Sequence, residues 1–301
     1  MKKTAISICA VVLAVVMCAA MGTGAFAEGT APVAENLELK TYQNTSVGGC
    51  LSAYDADGGT LEYTITTQPV KGTIELEEDG CFVYTPAENK RGRDYFGYKV
   101  TDESGQTSQE ATVIIKIEKV KRDVFYSDMR GRADEYAAAS LAQRGIFTVE
   151  QLCGKYCFNP DKTVSRGEFL SMCMAVVGDE AIEAVFSTGF GDDAEIPAWL
   201  KGYIATAAMR GVVDSGTSET AFEPDKPITE VEAALMLDKA MNVTSVSYIP
   251  LDDALSPAAA QACANLSACG IIEGNVAPGY LTRSATAKML VNALEVLESR
   301  K

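Results

Sequence analysis

The chain has 301 residues, with 41 acidic against 26 basic residues and a formal net charge of −15. That balance excludes the basic surface by which proteins bind nucleic acids or anionic lipids. The chain contains no histidine, which removes the usual general base, the Ser-His-Asp and Cys-His arrangements and most zinc sites. We therefore expect no enzyme activity, no nucleic-acid partner and no cofactor, and the length predicts two domains.

The first 27 residues have the pattern of an export signal. Lys2 and Lys3 form a basic start, residues 5–20 are apolar, and Ala25-Phe26-Ala27 is a cleavage site of the A-x-A type. A retained membrane anchor is the alternative. Cys18 raises the question of lipid attachment, but Met17 stands where a small residue is expected. The pattern predicts a secreted protein that is free of the membrane after cleavage.

Nine cysteines are present, of which Cys9 and Cys18 lie in the predicted signal. The remaining seven are an odd number, so at least one thiol is unpaired unless it pairs between chains. Cys153 and Cys157 have the spacing of a metal hook, but the chain has neither a histidine nor a second such pair to complete a site.

Residues 28–120 are predicted to form an all-β antiparallel sandwich. Apolar and polar residues alternate in short runs, and turn residues such as Asp57-Gly58-Gly59 and Asp79-Gly80 separate the runs. About seven strands at this spacing favour two packed sheets.

The motifs of this segment resemble the bacterial cadherin-like, immunoglobulin-type repeat. They recur in order along nearly the whole segment: Asp55-Ala56-Asp57-Gly58-Gly59, Gln68-Pro69-Val70-Lys71-Gly72, Asp79-Gly80-Cys81-Phe82-Val83-Tyr84 and Gly92-Arg93-Asp94-Tyr95-Phe96-Gly97-Tyr98. The resemblance implies a spacer or an adhesive module.

Two further expectations come from that resemblance. It suggests that oxygen atoms of Glu35, Asp55, Asp57 and Asp102 could bind calcium; the alternative is that the Asp-Ala-Asp-Gly-Gly run is only a polar turn. Cys50 and Cys81 fall in the second and fifth predicted strands, which are neighbours in one sheet of an immunoglobulin-type sandwich. A disulfide between them is one hypothesis, and two buried free thiols are the other.

The C-terminal half repeats one pattern three times, in residues 124–179, 187–243 and 248–301. Each copy has an aspartate near its start, a Gly-Ile or Gly-Val pair, a loop with proline, and a Ser or Thr that opens a helix. The first two copies keep a register of 64 residues, as in Phe158 and Phe222, and the third is shorter. Helical spacing of apolar residues before and after each loop predicts a helical hairpin per copy, and hairpins of this size must pack on each other.

The residues that open the second helix of each hairpin have a capping pattern. Ser165 with Glu168 and Thr229 with Glu232 form capping boxes, so we expect these glutamates to be structural. The third copy has Thr282 but Ala285, so half of its box is missing.

Arg166 and Arg283 occupy the first helical position, where the helix dipole disfavours a cation. A guanidinium beside free helix amides would make a clamp for a carboxylate or phosphate; a solvent-exposed arginine paired with a nearby acid is the alternative. Glu230 takes this position in the second copy and would repel an anion.

These residues resemble the surface-layer homology (SLH) domain, which has an aromatic-x-x-Asp start, a Phe-x-Pro loop and a Thr-Arg-x-Glu helix opening. The resemblance implies an all-α three-repeat bundle whose grooves hold secondary cell-wall polysaccharide, often carrying a pyruvate ketal whose carboxylate suits an arginine. The matching positions are predicted ligand contacts: Ser165, Arg166, Thr282, Arg283, Asp128, Asp192, Trp199 and, less closely, Asp253. Because Glu230 and Ala285 depart from the pattern, we expect one or two working grooves.

The sequence therefore predicts an exported protein of a bacterial surface, anchored without covalent bonds to wall polysaccharide and displaying a β-sandwich. The alternatives are a calcium-stabilised adhesin, a structural component of a surface lattice and, more remotely, a wall hydrolase with paired carboxylates.

Overall fold

The computed structural model describes residues 29–149, 151, 154–247, 255–273 and 279–300. The predicted export signal, Cys153, Asp253 and the loop proline of the third repeat, Pro278, lie outside the described residues. Two structural units follow one another along the chain, a β-sandwich and a helical bundle. No helix within the described ranges is long and apolar enough to cross a membrane.

The β-sandwich has nine strands. They are β1 (Val33–Ala34), β2 (Leu37–Tyr42), β3 (Val47–Cys50), β4 (Ala53–Tyr54), β5 (Glu62–Thr67), β6 (Gly72–Leu76), β7 (Cys81–Pro86), β8 (Gly92–Thr101) and β9 (Ala111–Glu118). One sheet has the order β2-β9-β8-β5, the facing sheet has the order β3-β7-β6, and β1 pairs with β4. Alternate side chains such as Phe82, Tyr84, Phe96 and Tyr98 are fully buried between the sheets.

The prediction of a β-sandwich is confirmed, with one correction to the strand directions. β2 runs parallel to β9, with Leu37 opposite Val113 and Thr41 opposite Ile117. The first long strand therefore lies beside the last one in the same direction, and the sheet is mixed. Alternation of apolar and polar residues shows which face is buried, but it carries no information on strand direction.

In the described part of the bundle there are six helices, arranged as three hairpins. They are α1 (Glu135–Arg144), α2 (Arg166–Val177), α3 (Ala198–Met209), α4 (Glu230–Met241), α5 (Pro257–Ala268) and α6 (Arg283–Ser299). One hydrophobic core joins all three hairpins, with fully buried residues from each, including Phe169, Leu237 and Leu290. The all-α repeat architecture is thus confirmed, and its shared core explains why a single hairpin would not fold alone.

Candidate functional site

The three loops that precede α2, α4 and α6 meet in a closed ring of backbone hydrogen bonds. The amide of Val164 donates to the carbonyl of Leu281, Leu281 donates to Ile228, and Ile228 donates back to Val164, at 2.9, 2.9 and 3.0 Å. All three side chains are buried. This ring, which we call the collar, gives the bundle an approximate threefold arrangement and fixes where each helix begins.

The aspartates near the start of repeats 1 and 2 hold the loops that lead into the collar. Each carboxylate accepts two backbone N–H groups: Asp128 from Phe158 at 2.8 Å and Asn159 at 2.7 Å, and Asp192 from Phe222 and Glu223 at 2.8 Å each. The second residue of each loop has a positive φ, 54° at Asn159 and 57° at Glu223. This left-handed conformation is favourable enough for asparagine but uncommon for glutamate, so the bond to Asp192 helps to hold Glu223 in it. Asp128 and Asp192 therefore hold the loops of their repeats, and their ligand contact stays a prediction.

The capping boxes are present at the collar. The Glu168 carboxylate accepts the Ser165 amide at 3.0 Å, and the Glu168 amide donates to Ser165 Oγ at 3.2 Å. Thr229 and Glu232 make the same pair of bonds. Burial raises the pKa of Glu232, but the bonds from Thr229 and the nearby Arg166 outweigh it and hold that pKa below its ordinary value.

The first-turn amides that the sequence analysis expected to be free are already bonded. The amides of Arg166 and Gly167 donate to the carbonyls of Lys226 and Pro224, at 2.8 and 2.9 Å. The amides of Arg283 and Ser284 are taken in the same way by the loop of repeat 1. The amides on which the predicted clamp depended are therefore not free, because the loop of the neighbouring repeat satisfies these donors.

The two arginines also contact neighbouring repeats. The Arg166 guanidinium lies 5.3 Å from the centre of the Phe222 ring and 3.4 Å from a carboxylate oxygen of Glu232. Arg283 is only 9 % exposed, donates to the Phe158 carbonyl at 2.9 Å and lies 5.2 Å from the centre of the Phe147 ring. Arg166 thus joins repeat 1 to repeat 2, and Arg283 joins repeat 3 to repeat 1, each through a cation–π contact with an aromatic ring.

An open cavity of about 420 Å³ lies between repeats 1 and 2, beside the collar. One wall is the start of α2 with Ser165 and Glu168, and the other is the start of α3 with Trp199. Trp199 is the only tryptophan of the chain, and its side chain is 55 % exposed. We call this cavity the 1/2 groove. Of the predicted ligand contacts it brings together Ser165 and Trp199, whereas Arg166, Arg283, Thr282 and the aspartates do not line it.

Two groove residues were missed by the sequence analysis, Lys162 and Asp225. Both are exposed, and Lys162 forms no ion pair with any other described residue. The signal that could have found them is the Pro-Asp-Lys run, which occurs at Pro160 and again 64 residues later at Pro224.

The corresponding place at the junction of repeats 3 and 1 is covered. Trp199 stands 12 residues before Gly211, and Ala133 stands 12 residues before Gly145, so the two positions correspond. The Ala133 carbonyl accepts the Gly48 amide of β3 at 2.9 Å, and a Cβ on Gly48 would come within 2.5 Å of the Ala133 methyl. The Glu135 carboxylate accepts the Ser46 amide at 3.0 Å. In repeat 1 the β-sandwich thus covers the position that an exposed tryptophan, Trp199, occupies in repeat 2.

The predicted calcium ligands of the sandwich are engaged in local turns. Asp55 accepts the Asp57 amide at 3.1 Å, Asp57 accepts the Thr30 amide, and Asp102 accepts Ser104 Oγ and the Gln106 amide at 2.8 Å each. Within the described ranges no group of three or more His, Cys, Asp or Glu side chains is placed to hold a metal ion. The structure does not bring these carboxylates together, which favours the alternative that the Asp-Ala-Asp-Gly-Gly run is only a polar turn.

Cys50 and Cys81 lie opposite each other on β3 and β7, with 3.9 Å between their Cα atoms, and form a disulfide. Of the other described cysteines, Cys173 and Cys263 are buried and Cys157 and Cys269 are partly exposed, all as free thiols. The disulfide joins the strand that contacts the bundle to the centre of its sheet.

Comparison with known proteins agrees with this two-part architecture. Residues 29–119 match the family model of the bacterial cadherin-like domain, and residues 189–234 match that of the S-layer homology domain. The first match falls on the β-sandwich and the second on the helical bundle, and together they indicate a cell-surface protein. The S-layer homology match covers the second of the three repeats, and the cadherin-like match covers the whole sandwich.

Three curated relatives are similar over most of the chain. An amylopullulanase of Thermoanaerobacterium thermosulfurigenes is 27 % identical over 76 % of this chain and 13 % of its own length. A surface-layer 125 kDa protein of Lysinibacillus sphaericus is 26 % identical over 71 % of this chain and 17 % of its own. The exoglucanase XynX of Acetivibrio thermocellus is 26 % identical over 65 % of this chain and 18 % of its own length. The chain spans less than a fifth of each relative, and the enzyme activities that two of these names state are those of the relatives.

Proposed function

We propose that the 1/2 groove binds a secondary cell-wall polysaccharide and so holds the protein on the wall of the cell. The observation that carries this proposal is the exposed Trp199 at the rim of an open cavity between two repeats. An aromatic ring beside polar groups is the usual arrangement of a carbohydrate site, because the C–H face of a sugar packs against the ring while its hydroxyl groups are hydrogen-bonded.

Each wall of the groove has a role in this proposal. Ser165 Oγ and the carboxylates of Glu168 and Asp225 accept hydrogen bonds from sugar hydroxyl groups. The Lys162 ammonium pairs with an acidic substituent such as the carboxylate of a pyruvate ketal, because it is the lysine that lines the groove and it forms no ion pair within the described ranges. The proposal thus moves the anion contact from the two arginines to Lys162, two residues before Val164 of the collar.

The β-sandwich is the displayed part of the protein in this proposal, serving as a spacer or adhesion module. Contacts of Gly48 and Ser46 with the bundle, the latter through Glu135, fix the position of the sandwich. A force on a ligand bound to the sandwich would therefore reach the wall through the bundle. A role in a surface lattice is a second candidate, favoured by the similarity to a surface-layer protein. Assembly of the pure protein into sheets, seen by electron microscopy, would support that role.

Co-sedimentation of the secreted chain with purified cell walls tests the anchoring proposal. We expect binding to intact walls, loss of binding after the secondary polymer is stripped by acid, and loss of at least tenfold in affinity for Trp199→Ala. Met209→Ala is the matched control, because Met209 is 81 % exposed at the other end of the same helix. Since Trp199 is the only tryptophan, its fluorescence should also change when released polymer is added. Equal binding to stripped and intact walls would contradict the proposal.

A further inference from the structure

The segment that follows α2, residues 179–186, lies along α3 as a shelf next to the 1/2 groove. Its backbone is held at several points: the Ile182 amide donates to the Gly202 carbonyl at 3.3 Å, Thr206 Oγ1 donates to the Glu180 carbonyl at 2.9 Å, and Lys201 Nζ donates to the Phe186 carbonyl at 3.3 Å. Gly202 permits this close approach, because a Cβ there would overlap the Ile182 carbonyl. The shelf is therefore a built part of the fold.

The shelf nevertheless presents apolar side chains to solvent. Phe186 is 91 % exposed and Ile182 is 40 % exposed. Together with Trp199 they line a second open cavity of about 500 Å³. A held backbone that leaves a phenylalanine ring outside is typical of a contact surface, since burying that ring in the core would have stabilised the fold.

Trp199 connects the two cavities, because its side chain lines both the 1/2 groove and the shelf cavity. A linear polymer that enters the groove at the collar and passes the indole ring reaches Phe186 next. The lining of the shelf cavity is mostly apolar, with Glu183 as its one charged residue. This suits the C–H face of a neutral sugar better than it suits an anionic substituent.

We propose that Phe186 and Ile182 form a second sugar-binding surface, which packs against the sugar ring that follows the one held in the 1/2 groove. This inference rests on the proposed function, because the occupant is the next unit of the same wall polymer. The groove selects the acidic substituent, and the shelf adds affinity that depends on the length of the polymer.

Binding of size-fractionated polysaccharide, released by acid from purified walls, tests the inference in the full secreted chain. We expect Phe186→Ala to weaken binding of long fractions about tenfold and to leave binding of fragments of one repeating unit within twofold, because only long fractions reach the shelf. Phe186→Trp should keep the affinity of the unchanged chain, and Met209→Ala serves as the control for loss of an exposed apolar side chain.

The outcomes separate this inference from the proposed function. If Trp199→Ala abolishes binding while Phe186→Ala binds long fractions like the unchanged chain, the groove stands and the shelf inference is overturned. Equal losses for long and short fractions would also overturn it, as would a dimer of the unchanged chain that Phe186→Ala converts to a monomer, since the shelf would then bind a second copy. If the unchanged chain binds neither walls nor polymer, the proposed function itself fails.

Discussion

A substitution of Asp192 distinguishes two roles of its carboxylate: holding the loop before α4, as in the structure, and contacting the ligand, as the resemblance implies. Its carboxylate accepts two backbone N–H groups in the loop before α4, from Phe222 and Glu223. Asp192→Ala removes both acceptors and leaves two amides without a partner. It also releases Glu223 from its positive φ of 57°.

The expected cost follows from those two bonds. A hydrogen bond to a charged group contributes about 1.5–3 kcal/mol, and the partial exposure of Asp192 lowers this to about 1–1.5 kcal/mol for each bond. We therefore expect Asp192→Ala to lower the free energy of unfolding by about 2–3 kcal/mol. At about 2–4 °C per kcal/mol, the melting temperature should fall by roughly 4–12 °C.

Thermal unfolding followed by circular dichroism at 222 nm measures this effect, because the helices of the bundle dominate that signal. Asp214→Ala is the matched control, since Asp214 is exposed on the same repeat and forms no hydrogen bond or ion pair with other described residues. Wall binding is measured on the same samples below the melting transition. If Asp192→Ala melts like the control but no longer binds walls, the carboxylate contacts the polymer and our account of the loop is refuted.

Four further predictions concern other contacts. Arg166→Ala should destabilise the bundle by about 1–2 kcal/mol, through loss of the aromatic contact and the partly exposed ion pair, and should leave wall binding within twofold; lost binding at unchanged stability would restore the predicted clamp. Replacing Cys50 and Cys81 by serine should cost about 3–4 kcal/mol for a separation of 31 residues, measured by urea unfolding, and no loss would argue for free thiols. Calcium at millimolar concentration should leave the melting temperature unchanged, and a rise of several degrees would instead indicate a site in the sandwich. Burial raises the pKa of Glu135, so the protonated carboxyl group contributes stability that should be fully present below the pKa of Glu135 in the unfolded chain and lost as the pH rises through its pKa in the folded chain. Glu135→Gln should flatten this part of the curve of unfolding free energy against pH. An unchanged curve would show that other groups cause the pH dependence.

The repeats and the capping boxes could be predicted because their signals are local in sequence. Ser165 and Glu168 are three residues apart, and their mutual bonds follow from helix geometry alone. The spacing of 64 residues between repeats 1 and 2 then carries the same prediction to Thr229 and Glu232. The sandwich and the bundle could both be predicted from the periodicity of apolar residues and from turn residues. Burial of one face requires apolar residues at every second position of a strand or at every third or fourth position of a helix.

The contacts between repeats could not be predicted in the same way. The amides of Arg166 and Gly167 find their acceptors about 60 residues away, in the Pro224 and Lys226 carbonyls, and no side chain marks a backbone acceptor. A recurring aspartate such as Asp128 shows that a carboxylate is required, but its sequence position does not tell whether the oxygen atoms meet a ligand or the chain's own loop. The parallel pairing of β2 and β9 is hidden for a similar reason, since strand direction is a property of the whole sheet.

The difference between Trp199 and Ala133 explains why the repeats need not bind ligand equally. At corresponding positions one repeat exposes an indole ring to an open groove, and the other has a methyl group against which Gly48 of the sandwich packs. A large side chain at position 133 would keep β3 away, and an alanine at position 199 would remove the aromatic wall of the groove. The same position of the repeat therefore serves in one copy to join the β-sandwich to the bundle and in another, on our proposal, to bind the wall, so that a bundle of similar hairpins carries two different attachments.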